Sequence, residues 1–242
     1  METKKAIVIG ASSGIGREVA KLLLNEGYRL GVAARREARL LELKRGVEDQ
    51  VEVMPIDVTG DDAGSKLRQL IELLGGMDLF FYASGIGKQN RELEEDIEIQ
   101  TVKTNGLGFM RLIGEAYRYF AEQGKGHIVA ITSIAGTKGL GPAPSYSATK
   151  AMQNVYLQAL EQQANSRGLN IHFTDIRPGF VDTDLLKGDY QYPMLLKPHA
   201  VACEIVSSIH SKKHIHVIDW RYSILTAIWR RIPRFVWRLM KI

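Results

Sequence analysis

Tyr146 and Lys150 stand four positions apart in the sequence, a spacing that can place a phenol beside an ammonium group. Residues four apart share one face of a helix. A free tyrosine has a pKa of about 10, and lowering it to about 7 requires about 4 kcal/mol. One charge at about 4 Å supplies that much at an effective dielectric constant of about 20. The pair therefore predicts a proton-transfer site, although most such pairs are an exposed ring beside a solvated amine.

The beginning of the chain favours a nucleotide site. A short apolar run from Lys5 to Gly10 predicts a buried strand. It continues into the glycine-rich turn Gly10–Gly16 and then into a helical pattern from Arg17 to Glu26. Strand, glycine turn and helix form the context of a dinucleotide fingerprint, because the first N–H groups of the helix can bind the phosphates. An ordinary turn between a strand and a helix is the alternative.

The end of the second predicted strand indicates which nucleotide is bound. The run from Arg29 to Ala34 predicts this strand, and Arg35 and Arg36 follow it. An NAD site usually has a carboxylate here for the ribose 2′-hydroxyl, whereas arginine accommodates a 2′-phosphate. Ala34 offers no carboxylate, and Arg35 brings a planar, permanently charged group. NADP, as NADPH, is therefore predicted over NAD; the alternative is that both arginines form a solvated loop end.

Further motifs complete a pattern that resembles the short-chain dehydrogenase/reductase family, in its compact single-domain form, over roughly residues 4–220. Asp57 follows the third predicted strand, and Ser133 precedes Tyr146 by thirteen positions. The resemblance implies four catalytic residues, Asn105, Ser133, Tyr146 and Lys150. It also implies that the cofactor contacts the glycine turn, the ends of the next three strands, the catalytic pair and the segment after the sixth strand, namely Gly10, Ser12, Ser13, Gly14, Ile15, Gly16, Arg35, Arg36, Asp57, Val58, Ser84, Gly85, Tyr146, Lys150, Pro178, Gly179, Val181 and Thr183.

In mechanism, the resemblance implies hydride transfer between the nicotinamide and a substrate carbon, with the protein supplying orientation and charge. Tyr146 would exchange a proton with the carbonyl or alcohol oxygen, and Ser133 would hydrogen-bond that oxygen. Lys150 would lower the pKa of Tyr146 and hold the nicotinamide ribose, and Asn105 would position a water behind Lys150. In isolation, Ser133 could equally be a turn serine and Asn105 a helix-kink or capping residue. Tyr82–Gly85 departs from the family's Asn-Asn-Ala-Gly, which supports the sheet near the adenine.

The 242-residue chain indicates one α/β domain. Apolar runs alternate with helical stretches, which predicts a doubly wound, Rossmann-type parallel β-sheet of about seven strands with helices on both faces. The later strands are predicted at 51–56, 78–83, 126–132 and 169–176. We assign residues 1–220 to the catalytic and NADP-binding domain and residues 221–242 to a basic, amphipathic helical tail.

The cysteine and histidine residues indicate the cellular compartment and whether a metal site is expected. A single cysteine, Cys203, permits no intramolecular disulfide and fits a reducing compartment. The first apolar run breaks at Gly10, which argues against secretion, and no uncharged apolar segment approaches the roughly 20 residues of a membrane-spanning helix. We therefore expect a cytoplasmic protein, with membrane association as a further expectation. His214 and His216 share a strand face but lack a third ligand, so no metal site is predicted.

The tail carries the basic character of the chain. From residue 211 onward there are eight basic residues and one acid, against a formal net charge of +5 for the whole chain. Such a helix can lie on an anionic membrane surface, or it can pack on its own domain or a partner subunit; its aromatic face argues against nucleic acid. Pro233 divides the stretch. The apolar side comprises Ile228, Trp229, Ile232, Phe235, Val236, Leu239 and Met240, and the basic side Arg230, Arg231, Arg234, Arg238 and Lys241.

The segment between Asp184 and His199 is the one that folds over the substrate in the resembled family. Its apolar residues predict an apolar carbonyl or alcohol substrate, or packing against the tail or a second subunit. The resemblance also implies a homodimer or homotetramer. Two other functions stay open, a non-catalytic nucleotide-sensing or scaffold protein on the same fold and a membrane-peripheral adaptor. The apolar and aromatic residues of the segment are Leu185, Leu186, Tyr190, Tyr192, Pro193, Met194, Leu195 and Leu196.

Overall fold

Seven parallel strands form one sheet in the computed structural model, which describes residues 3–186 and 192–240. Their spatial order, numbered along the chain, is β3-β2-β1-β4-β5-β6-β7. The prediction of a doubly wound parallel sheet with about seven strands is confirmed. The strands are β1 (Lys5–Ile9), β2 (Arg29–Ala34), β3 (Val51–Pro55), β4 (Leu79–Tyr82), β5 (Lys125–Ile131), β6 (Asn170–Arg177) and β7 (Ile215–Val217).

Helices cover both faces of this sheet. Ile7 and Ile9 of β1 belong to one buried layer, and Ala6 and Val8 belong to the other. Successive side chains of a strand point to opposite faces, so a sheet covered on both sides has continuously apolar strands. The helices are α1 (Gly14–Asn25), α2 (Glu37–Lys44), α3 (Ala63–Leu74), α4 (Glu95–Thr101), α5 (Phe109–Gln123), α6 (Pro144–Ser166), α7 (Pro198–His210), α8 (Trp220–Arg231) and α9 (Arg234–Trp237), with a π-helical segment at Val102–Gly108.

The strand order reverses at β1, which has β2 on one side and β4 on the other. Open α/β sheets bind ligands at the carboxyl ends of their strands beside such a reversal. Gly10 follows β1, Ser84 lies just beyond β4, and Ser133 lies just beyond β5. The glycine turn and the candidate catalytic residues therefore meet at one edge of the sheet.

The last helices among the described residues are α8 and α9, which are separated at Pro233 as predicted. Tyr222 anchors α8 and is fully buried. Its hydroxyl accepts a hydrogen bond from the Phe180 N–H (3.2 Å) and lies 3.0 Å from the carbonyl oxygen of Pro193. In the part of the chain that the structure describes, no helix combines the length and apolar character needed to cross a bilayer.

Candidate active site

The glycine turn is built so that only glycine fits at two of its positions. Gly10 has φ +88°, and a Cβ there would lie 2.9 Å from the backbone nitrogen of Ser84. A Cβ on Gly16 would lie 2.4 Å from the Gly10 carbonyl oxygen. Ser13 precedes α1 with an extended backbone, and its side chain makes no capping hydrogen bond. The first N–H groups of α1 are thus not capped by Ser13, which fits the binding of a dinucleotide phosphate.

Arg36 is the arginine that lies on this turn. Its guanidinium donates hydrogen bonds to the hydroxyls of Ser13 (2.6 Å) and Ser12 (3.1 Å). Arg35 acts on Asp57 through its charge: the pKa of Asp57 is lowered mainly by the Thr59 N–H and in smaller part by Arg35. The sequence analysis assigned the 2′-phosphate chiefly to Arg35, whereas in the structure it is Arg36 that contacts the serines of the turn.

The segment after β6 adjoins the glycine turn. Ile134 N–H donates to the Pro178 carbonyl (3.1 Å), and Gly179 packs so tightly on Tyr222 that a Cβ would lie 2.2 Å from its ring. A Cβ on Gly14 would lie 3.2 Å from the Thr183 methyl group. Val181 is buried and pairs with Leu196. A cavity of about 430 Å³ opens here, lined by Gly14, Glu18, Asp182, Thr183, Asp184, Pro198 and His199.

Tyr146 and Lys150 lie on the first turns of α6, which begins with Pro144. The ammonium of Lys150 is 5.7 Å from the centroid of the Tyr146 ring. A Cβ on Gly87 would lie 2.9 Å from that ring, and a Cβ on Gly85 would lie 3.7 Å from the ammonium. The loop after β4 therefore packs directly against the pair.

Burial dominates the protonation of both groups. It raises the pKa of Tyr146 above its usual value, and a hydrogen bond with the Ser133 hydroxyl lowers that pKa by less than burial raises it. Burial also lowers the pKa of Lys150 to about 8, against the charge of Asp175. In this structure burial raises the pKa of Tyr146, and the lowering of that pKa to about 7 by Lys150 stays a prediction.

Ser133 and Asn105 each have a structural partner as well as a place beside the pair. Ser133 caps a short turn and accepts a hydrogen bond from the Ala135 N–H (3.1 Å). Asn105 lies in the π-helical segment, a rare geometry that is frequent at functional sites. Its side chain donates to the Ile86 carbonyl (2.7 Å) and accepts from the Ile86 N–H (2.9 Å). Asn105 thereby fixes the loop after β4.

Comparison with known proteins identifies the family. The family model described as short chain dehydrogenase matches residues 4–192. The chain belongs to this family. An uncharacterized oxidoreductase of Myxococcus xanthus is 32% identical over 241 residues, covering 96% of this chain and 94% of that protein. An uncharacterized oxidoreductase of Staphylococcus haemolyticus is 29% identical over 217 residues, covering 88% and 93%.

Solved structures share the fold of this short-chain dehydrogenase. A short-chain dehydrogenase from Streptomyces avermitilis superposes with a TM-score of 0.83 at 21% identity, covering 93% of this chain and 92% of that one. ElxO with NADP bound gives a TM-score of 0.81 at 22% identity, covering 92% and 100%. At these identities the likeness establishes the fold alone.

Two residues of the site escaped the sequence reasoning. Gln153 is fully buried and links Lys150 to the backbone of Asn105. Asp175 is buried on β6, where it accepts hydrogen bonds from Thr132 and from its neighbour Arg177. A signal existed for both, because Gln153 lies three residues after Lys150 on the same helix face and Asp175 is a carboxylate within a strand of a sheet covered on both faces.

Two other predictions concern the residues after β3 and the histidines near β7. Val58 is buried and Asp57 exposed at the end of β3. His214 contacts Glu161 and His216 contacts Ser208, and no group of three candidate metal ligands occurs among the described residues.

In the predicted substrate segment, Tyr190 lies outside the described residues. Leu185 and Leu195 are exposed, and the Tyr192 ring lies 4.7 Å from that of Phe180. The hydroxyl of Tyr222 also lies close to Met194 (3.1 Å), so part of this segment does pack against the tail.

Proposed function

We propose that this short-chain dehydrogenase is an NADP(H)-dependent oxidoreductase that interconverts a carbonyl and an alcohol on an apolar substrate, with Tyr146 as acid and base. The observation that carries the proposal is that Ser133, Tyr146 and Lys150 meet beside the glycine turn at one edge of the sheet. A nucleotide-sensing protein needs the glycine turn but not these groups, which disfavours that alternative. The exposed Leu185 and Leu195 support an apolar substrate.

The chain's own residues account for the proton and the charge. When bound, NADPH supplies the hydride. Because burial raises the pKa of Tyr146, its phenol is protonated at neutral pH and can donate to the carbonyl oxygen. Ser133 donates a hydrogen bond to the same oxygen as it becomes negative. The Lys150 ammonium would hold the nicotinamide ribose, and its charge stabilises the tyrosinate that remains after proton transfer.

Replacing the phenol tests the acid. Tyr146→Phe keeps the ring that packs on Gly87 and removes the donor, so kcat should fall about 100- to 10,000-fold, the usual worth of general acid catalysis. NADPH absorbance is followed across a panel of aldehydes, ketones and long-chain acyl carbonyls, and NADPH binding and stability should be unchanged. Tyr156→Phe, on the same helix, is the control. Near-normal turnover by Tyr146→Phe would defeat the assignment, and no turnover by the unaltered protein would favour nucleotide sensing.

Arg36 supports the choice of NADP, because its guanidinium already binds both serine hydroxyls of the glycine turn. Several structural neighbours were solved with NADP or a derivative, among them ElxO and an alcohol dehydrogenase from Thermococcus sibiricus.

Binding measurements separate the two nucleotides. NADPH should bind at least about tenfold tighter than NADH, because hydrogen bonds to charged groups contribute about 1.5–3 kcal/mol. Arg36→Ala should remove most of that difference by weakening NADPH alone, whereas the exposed Arg39→Ala should not. Equal dissociation constants for the two nucleotides in the unaltered protein would refute the preference.

A second copy of the chain is the proposed partner of the outer side of α5 and α6, consistent with the homodimer or homotetramer that the family resemblance implies. Exposed apolar side chains gather on these helices and the π-helical segment, namely Val102, Leu107, Met110 and Val155.

The oligomeric state tests this surface. The unaltered protein should elute as a dimer or tetramer in size-exclusion chromatography with light scattering, and Val155→Arg should shift it towards the monomer by burying an unpaired charge. Leu41→Arg, an exposed apolar position on α2, should not. A monomeric unaltered protein would exclude the assembly.

An anionic bilayer is the proposed partner of the tail. The tail is fixed to the loop between Ser133 and Tyr146, since the Trp237 indole donates to the Gly139 carbonyl (2.8 Å) and Lys138 to the Ile232 carbonyl (3.0 Å). Its outward apolar side chains nevertheless stay exposed, with arginines beside them. Basic residues near an anionic surface contribute up to about 1 kcal/mol each. The exposed apolar set of the tail is Ile224, Ile228, Phe235, Val236, Leu239 and Met240, with the exposed Trp220 directly before the tail, and the arginines are Arg230, Arg231, Arg234 and Arg238.

Vesicle sedimentation tests this attachment. The protein should pellet with vesicles containing phosphatidylserine, less with pure phosphatidylcholine, and less at high salt, because salt screens exposed charges. Changing the four tail arginines to glutamine should abolish pelleting. The same change at four exposed basic residues elsewhere, Arg45, Lys88, Arg91 and Lys103, should not. Failure of the unaltered protein to bind anionic vesicles removes the membrane proposal.

A further inference from the structure

One buried amide joins two of the four candidate catalytic residues. The Gln153 side-chain oxygen accepts a hydrogen bond from the Lys150 ammonium (3.0 Å), and the Gln153 side-chain nitrogen donates to the backbone carbonyl of Asn105 (2.8 Å). Gln153 is fully buried on α6, whereas Asn105 lies in the π-helical segment. The amide therefore connects the helix that carries the acid to the segment that fixes the loop after β4.

The orientation of this amide is determined by its partners. An ammonium only donates and a carbonyl only accepts, so the amide oxygen must face Lys150 and the amide nitrogen must face Asn105. The second described acceptor of Lys150 is the Ile131 carbonyl (3.2 Å). Two fixed acceptors from different elements limit where the ammonium can lie relative to the Tyr146 ring.

We propose that Gln153 is a positioning residue that holds the Lys150 ammonium and the Asn105 backbone in register for proton transfer at Tyr146. The inference rests on the proposed oxidoreductase function. The family resemblance assigned the connection between Lys150 and Asn105 to a water; in this chain the side chain of Gln153 makes the connection directly.

The charged groups around the ammonium define the expected pH behaviour. Tyr146 faces it from α6, and Asp175 faces it from β6, with Arg177 paired to that carboxylate. Burial lowers the pKa of Lys150 to about 8, and Asp175 opposes this. The Gln153 oxygen accepts a hydrogen bond from the Lys150 ammonium and so favours the charged form of Lys150. Loss of that oxygen should therefore lower the pKa of Lys150 further. Activity that needs the ammonium is present below this pKa and is lost as the pH rises through it.

Two variants separate the functions of the amide. Gln153→Met keeps the length and removes both hydrogen bonds, and Gln153→Glu keeps an acceptor for Lys150 but not the donor for Asn105. With NADPH and the best carbonyl of the panel, Gln153→Met should lower kcat about tenfold, or about 1.4 kcal/mol in the barrier. As the pH rises, Gln153→Met should lose activity at a lower pH than the unaltered protein. Gln153→Glu should lose activity at a higher pH than the unaltered protein. Gln158→Met, exposed on the same helix, is the matched control.

A second readout does not depend on turnover. NMR titration of protein containing isotope-labelled lysine, with the Lys150 signal assigned from Lys150→Arg, should show the Lys150 pKa falling in Gln153→Met and rising in Gln153→Glu. A folded Gln153→Met with unchanged kcat, pH profile and titration overturns the proposal, and if that variant does not fold, an unshifted titration in Gln153→Glu does so. If the unaltered protein shows no turnover, the proposed function fails, while the titration still decides the role of Gln153.

Discussion

The ammonium of Lys150 lies almost entirely out of contact with solvent, and the site is arranged around that buried charge. A buried ammonium gives up its proton unless its partners favour the charged form. Here the partners come from three elements: the Ile131 carbonyl from the end of β5, the Gln153 amide from α6 and the Asp175 carboxylate from β6. The ammonium is thus held only when this edge of the sheet and α6 are assembled together.

The same burial determines the protonation states of Tyr146 and Lys150 before any reaction. It raises the pKa of Tyr146 and lowers that of Lys150 to about 8, so both shifts favour the neutral form. Below about pH 8 the phenol is protonated while the lysine is still charged. The site therefore starts as an acid beside a positive charge, which suits protonation of a carbonyl oxygen at neutral pH.

Local sequence patterns predicted most of the fold. The apolar runs predicted strands close to those observed, and Gly10 and Gly16 lie where the backbone approaches too closely for any side chain. Close approach was missed at Gly87, whose neighbour is the Tyr146 ring 59 positions away along the chain. Such contacts depend on packing between elements, which spacing in the sequence does not encode.

The protonation states of the site depend on packing in the same way. A spacing of four residues correctly brought Tyr146 and Lys150 onto one helix, but the pKa of each depends on how much of its surroundings the fold removes from water. The side-chain direction of Arg36 and the buried link through Gln153 likewise depend on tertiary contacts. Spacing in the sequence indicates which residues can share a helix face, whereas packing determines their protonation and their hydrogen-bond partners.

We propose that the Tyr146 phenol delivers a proton to a substrate oxygen that Ser133 hydrogen-bonds, beside the buried Lys150 ammonium, while a nicotinamide delivers a hydride. The most direct measurement uses NADPH carrying deuterium at its transferable position, with mass spectrometry of the alcohol formed from an apolar aldehyde or ketone. Each product molecule should carry one deuterium. Tight NADPH binding without transfer of deuterium to any carbonyl of the panel would contradict it.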